Sequence, residues 1–114
     1  MATRFAAVVA IILSSATIAT ADDISPLVGG WVAQDVHCKA LKDYSHEMIL
    51  KIEPDLIAGY EFDCRIRKIN RRENTFEITS ICEGEGESYH NQSQITLVNQ
   101  NEIRRYGISF KRCY

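Results

Sequence analysis

Long apolar runs are scarce in this chain. The longest extends from Phe5 to Leu13, well short of the roughly 20 residues that a membrane-crossing helix needs, so no membrane span is expected. A basic excess is missing as well: 13 Lys and Arg stand against 15 Asp and Glu, for a net charge of −2. That balance argues against a nucleic-acid binder. Proline is limited to Pro26 and Pro54, and no internal repeat or low-complexity segment appears. The chain has no nucleophile elbow, no H-E-x-x-H helix and no paired C-x-x-C ligands, so it points to no catalytic residue, no cofactor and no metal.

What is there begins with the first 21 residues. Arg4 precedes the apolar run, and small residues lead to Ala19-Thr20-Ala21 just before Asp22-Asp23. This is the pattern of a secretory signal peptide. The expected division is therefore a signal peptide over 1–21 and a single β-rich domain over 22–114, working in the periplasm or outside the cell. Removal of Arg4 makes the working chain slightly more acidic. A domain of this size draws only modest stability from a hydrophobic core alone.

Covalent support is available from Cys38, Cys64, Cys82 and Cys113. An even number of cysteines in an oxidising compartment reads as two disulfides. Three pairings are open. One of them joins Cys64 to Cys82, because a hairpin turning near Arg72 to Asn74 sets those positions opposite each other.

Alternation of apolar and polar residues defines the fold class. Trp31-Val32-Ala33 starts a first strand after Gly29-Gly30, with the indole closing one end of the core, and the polar stretch Asp35 to Glu47 suits a loop or a short helical turn. Met48, Leu50 and Ile52 then share one face, with Ile49, Lys51 and Glu53 on the other. Tyr60, Phe62, Cys64 and Ile66 share a face opposite Glu61, Asp63, Arg65 and Arg67. Phe76, Ile78, Ser80 and Cys82 continue inward, Ile95 and Leu97 mark a further strand, and Tyr106, Ile108 and Phe110 alternate in the last. This period of two specifies half-buried strands. Short turns between them predict an all-β antiparallel meander that removes its edges by curling into a small lipocalin-like β-barrel or strongly curled sheet, fixed by disulfides.

The segment Glu83-Gly84-Glu85-Gly86-Glu87 is the most unusual local feature. Glu83, Glu85 and Glu87 suit a basic partner or a cation, although the segment lacks the ligand spacing of an EF-hand loop. As a plain turn, its glycines allow positive φ. Arg65, Arg67, Lys68, Arg71 and Arg72 gather near one hairpin end, with Arg104, Arg105, Lys111 and Arg112 on the last strand. Such residues form an anion-attracting surface or simply keep strands soluble and unpaired. His37, His46 and His90 lack the partners of a catalytic base, and Asn91-Gln92-Ser93 matches a glycosylation acceptor.

Gly30-Trp31, Cys38, and Gly59-Tyr60 followed by Cys64 resemble the start of the small bacterial periplasmic inhibitors of secreted metalloproteases. That resemblance covers the first half of the working chain. It implies a β-barrel, a disulfide between Cys38 and Cys64 that leaves Cys82 for Cys113, and an N-terminal segment Asp22 to Leu27 that enters a protease cleft. The second half departs from that family. Over its full length the chain resembles small four-cysteine secreted proteins of alphaproteobacteria, a group with no assigned activity. They share a Gly-x-Trp start, a Cys-x-Gly-Glu-Gly segment and an ending near Tyr-x-Arg-Cys. Here Cys82-Glu83-Gly84-Glu85-Gly86 and Lys111-Arg112-Cys113 match, with Phe110 in the tyrosine position.

The resulting expectation is a non-enzymatic binding or inhibitor protein that presents loops to a protein partner in the cell envelope. Asp22, Asp23, Ile24 and Ser25 on one side, and Glu83, Glu85 and Glu87 on the other, are the candidate partner-binding residues. A small-ligand carrier with a pocket inside the barrel is the alternative.

Overall fold

In a computed structural model, which describes residues 23–114, the chain winds up and down as eight strands. They are β1 Gly29–Ala33, β2 Ile49–Glu53, β3 Leu56–Gly59, β4 Phe62–Arg72, β5 Thr75–Gly84, β6 Glu87–Asn99, β7 Glu102–Arg105 and β8 Ile108–Arg112. Each strand pairs antiparallel with the next, and β8 returns to β1, so the sheet is a closed barrel. This is the up-and-down architecture that the alternating pattern predicted. The expected signal peptide and Asp22 lie outside the described residues.

Inward-facing residues fill the barrel. Trp31, Leu50, Ile52, Ile57, Phe76, Ile78, Ile95 and Ile103 are each at most 1–2% exposed and belong to one cluster. β5 is paired on both sides along its whole length. Along β4, Phe62, Cys64 and Ile66 face inward until a register shift between Ile66 and Lys68 inserts one extra residue. That bulge moves the inward parity from even to odd positions. Ile69 is consequently buried, and Arg71 lies over the Phe76 ring at 4.8 Å.

A smaller cluster covers the outside of the wall. Helix α1, Ala40–Asp43, and Val36 press Ala40 and Leu41 onto Val32 and Ile49, which point outward from β1 and β2. Ile49 is thus on the outer face, as its parity requires, yet it is buried.

The disulfides join Cys64 to Cys82 and Cys38 to Cys113. The hairpin alternative is the one realised, and the pairing implied by the protease-inhibitor resemblance is corrected. The barrel wall explains the difference. Cys64 faces the interior directly opposite Cys82 on β5, whereas Cys38 sits on the loop outside β1. A bond between Cys38 and Cys64 would have to pass through the sheet. Cys113 emerges after β8 beside that outer loop, with its N–H donating to Gly30 at 2.7 Å.

Three further details differ from the sequence expectation. Leu56–Gly59 forms a strand that the short spacing after Pro54 concealed. Tyr60 and Tyr106 leave their inward series and sit exposed in turns next to Phe62 and Ile108. Tyr106 at φ 52 and Gly107 at φ 75 make a two-residue turn that divides the expected last strand into β7 and β8.

Candidate binding site at the rim of the barrel

The two ends of the barrel differ. One is plugged by a 3-10 turn, Ser25–Leu27, whose Leu27 is fully buried. Asp23 holds the turn in place by accepting the Ser25 N–H at 2.9 Å and the Ser25 hydroxyl at 2.7 Å. These bonds keep the Asp23 carboxyl below the usual carboxylate range. Under the turn, the Trp31 indole N–H donates to the Leu27 carbonyl at 2.9 Å. Arg112 closes the arrangement from β8 by donating to the Gln100, Val28 and Pro26 carbonyls at 2.8, 2.8 and 2.9 Å.

The far end carries the turns Tyr60–Glu61, Glu85–Gly86 and Tyr106–Gly107. Here strand lengths are unequal. β6 pairs with β5 from Glu87 to Thr96, but β7 meets β6 only from Ile95 to Asn99. Among the described residues, no strand covers the other side of β6 over residues 87–94. The Leu97 N–H donates to Asn74 on the β5 side at 2.7 Å. With no register shift between β5 and β6, alternation turns the N–H and C=O groups of Ser88, His90 and Gln92 toward the uncovered side. This edge carries no proline and no lysine, two of the features that commonly block strand addition. A cleft of about 750 Å³ runs beside it, lined in part by Lys68, Gln92, Gln94, Arg104 and Tyr106.

The acidic residues gather at the tip of this overhang. Glu85 at φ 51 and Gly86 at φ 78 form the turn, and Asp63, Glu83 and Ser88 stand side by side across β4, β5 and β6. A second recess of about 820 Å³ is lined by Glu61, Phe62, Asp63, Glu83 and Glu87 among others. Glu83, Glu85 and Glu87 are all exposed.

The candidate residues named from sequence therefore split into two groups at opposite ends of the barrel. Asp22 lies outside the described residues. Asp23 and Ser25 are exposed beside the plug, and Ile24 is packed into the core at 3% exposure. The Glu83 to Glu87 tip is separated from them by the ten residues of β5, roughly 30 Å of strand. The structure does not bring the two groups together. Among the described residues, no three His, Cys, Asp or Glu side chains converge on a metal-binding position. His37 and His46 accept backbone N–H groups from Lys39 and Met48 at 3.3 and 3.0 Å. His90 is exposed on the uncovered edge.

The basic residues also disperse. Lys68 and Arg104 share the cleft beside β6, Arg112 is consumed in the plug, and Arg105 turns inward near Phe62. The sequence named Arg105 only as one of several basic residues of the last strand, not as an inward-facing one. Its signal was present: a strand beginning Glu102-Ile103 places Arg105 on the same face as a buried isoleucine. The uncovered edge had no comparable signal, because it arises from the lengths of two neighbouring strands.

No protein-family model, curated protein or solved structure matches this chain. Two disulfides fit an oxidising compartment, and no helix among the described residues is long and apolar enough to cross a membrane.

Proposed function

We propose that this protein is exported by cleavage after Ala21 and acts in the periplasm as a non-enzymatic binding protein for a protein partner of the cell envelope. The observation that carries this reading is the uncovered side of β6. A preformed strand with unpaired backbone groups at Ser88, His90 and Gln92 is a template for an extended segment of another chain. The barrel holds that template rigid, which spares much of the ordering cost of association. The acidic tip beside it favours a segment carrying Lys or Arg and raises the rate of encounter. Inhibition is the form this binding takes when the captured segment borders a catalytic cleft.

The alternative, a carrier with an internal pocket, draws no support from the interior. Most inward apolar side chains are buried in one cluster, with Phe62, Ile66, Leu97 and Ile108 partly buried against it, so that the interior is filled as small barrels commonly are.

The test is capture of an envelope protein by the oxidised protein and by His90→Pro. Proline at this position removes a donor from the open side and leaves the bonds between β5 and β6 intact. The expected result is a captured protein that is lost with His90→Pro while the melting temperature stays nearly constant. Capture that survives His90→Pro would refute pairing along β6. Titration against secreted metalloproteases and lysozymes reads the inhibitor form directly.

A further inference from the structure

Arg105 occupies a position that strand alternation reserves for apolar side chains. Ile103, two residues earlier on β7, is fully buried, and Arg105 follows it onto the same face. The guanidinium carbon lies 5.8 Å from the ring centre of Phe62 on β4 and 4.7 Å from that of Tyr106. Its Nε is sealed from solvent and has no hydrogen-bond partner. A desolvated donor without an acceptor is costly, and the cost is greater for a charged group. Burial accordingly pushes the guanidinium below the ordinary arginine range. The strongest influences in the opposite direction come from the phenols of Tyr106 and Tyr89, not from a carboxylate. Ring faces attract the charge, and the Tyr106 phenol shares a side-chain hydrogen bond with the guanidinium, which still leaves Nε without an acceptor.

We infer that Arg105 is the recognition point of an anion site at the mouth of the barrel, which takes a single carboxylate borne on a short or planar apolar group. Three observations narrow the ligand. The planar fork matches the two oxygens of a carboxylate. Phe62 and Tyr106 flank it with ring surface, and the filled interior beneath admits no long tail. Glu61, Asp63, Glu83 and Glu87 line the recess that Phe62 shares, a field that opposes the higher charge of a phosphate ester more than the single charge of a carboxylate. The carboxylate is that of a free acid or of a polypeptide C-terminus. This site does not depend on strand pairing at β6, and either stands if the other fails.

The experiment follows the Nε–H resonance of Arg105 by nitrogen-15 NMR on the oxidised protein. The probes are benzoate, its neutral counterpart benzamide, inorganic phosphate, and a short peptide ending in phenylalanine with a free or an amidated C-terminus. Benzoate or the free-acid peptide is expected to shift the resonance saturably, with Kd at or below about 1 mM, while benzamide, phosphate and the amidated peptide leave it unmoved. Saturation by benzoate alone assigns a free acid, and saturation by the peptide alone assigns a chain terminus. Arg105→Met is expected to weaken binding at least about tenfold, and Lys42→Gln, on the exposed face of the outer helix α1, to leave it unchanged. Should Arg105→Met fail to fold, Arg105→Lys keeps the charge, loses the fork and is expected to bind more weakly than the unaltered protein. An unmoved resonance with every probe up to about 10 mM, equal response to benzamide or phosphate, or undiminished binding by the folded variant would overturn the inference.

Discussion

Arg112 lies over the Trp31 ring, its guanidinium carbon 4.2 Å from the ring centre. The same side chain reaches carbonyls of the plug at Val28 and Pro26 and of the turn after β6 at Gln100. One residue on the last strand therefore fastens the first strand, the N-terminal turn and a distant hairpin. Arg112→Ala is expected to destabilise the protein by about 2–4 kcal/mol, because charge-assisted hydrogen bonds and a ring contact are lost together. Arg112→Lys restores the charge without the fork and recovers less than half of that loss. Urea denaturation followed by Trp31 fluorescence measures both.

The two disulfides constrain the unfolded chain to different extents. Cys38–Cys113 closes 75 residues and Cys64–Cys82 closes 18. Chain-entropy reasoning gives about 4.5 and about 3 kcal/mol respectively. Cys38→Ser with Cys113→Ser is expected to cost more and to loosen the outer loop around α1 while the barrel persists. Peptide mapping of the oxidised protein checks the pairing, and denaturation of the two double variants checks the order.

Asp23 links the plug to pH. Its carboxyl is held low by the Ser25 hydroxyl and N–H, so the folded form binds a proton less readily than the unfolded chain. The resulting stabilisation is present above the ordinary value of 3.8 and is lost as pH falls through the lower folded value. The Ser25 amide resonance is expected to follow this titration with a midpoint below 3.8, and Asp23→Asn to abolish it.

Glu85 adopts a left-handed backbone, at φ 51, where asparagine or glycine is better suited. Glu85→Asn is expected to raise the melting temperature, by an amount equivalent to at most about 1 kcal/mol. If the acidic tip attracts the partner, the same variant slows association. Thermal melting and association kinetics separate the two effects.

Much of the fold was legible because a half-buried strand writes its period into the chain. Phe76, Ile78, Ser80 and Cys82 alternate without interruption, and the structure buries all four on β5. Legibility failed where one residue breaks the period. The bulge after Ile66 sends Ile69 inward, and Tyr106-Gly107 turns the chain where an alternating strand was expected. The Cys64–Cys82 bond was legible as one alternative from the hairpin spacing, whereas ruling out Cys38–Cys64 depended on which side of the wall each cysteine faces, a property of the closed sheet. The candidate site was least legible: Arg105 resembles any exposed strand arginine until Ile103 beside it is known to be buried, and the uncovered edge exists only because β6 has 13 residues and β7 has four.

Amide hydrogen exchange along β6 tests the central claim most directly. The amides of Tyr89, Asn91 and Ser93 point toward β5 and are expected to exchange slowly, whereas those of Ser88, His90 and Gln92 exchange orders of magnitude faster. Uniform protection from Ser88 to Ser93 in the isolated protein would show that this side of β6 is already covered, and the binding edge would not exist.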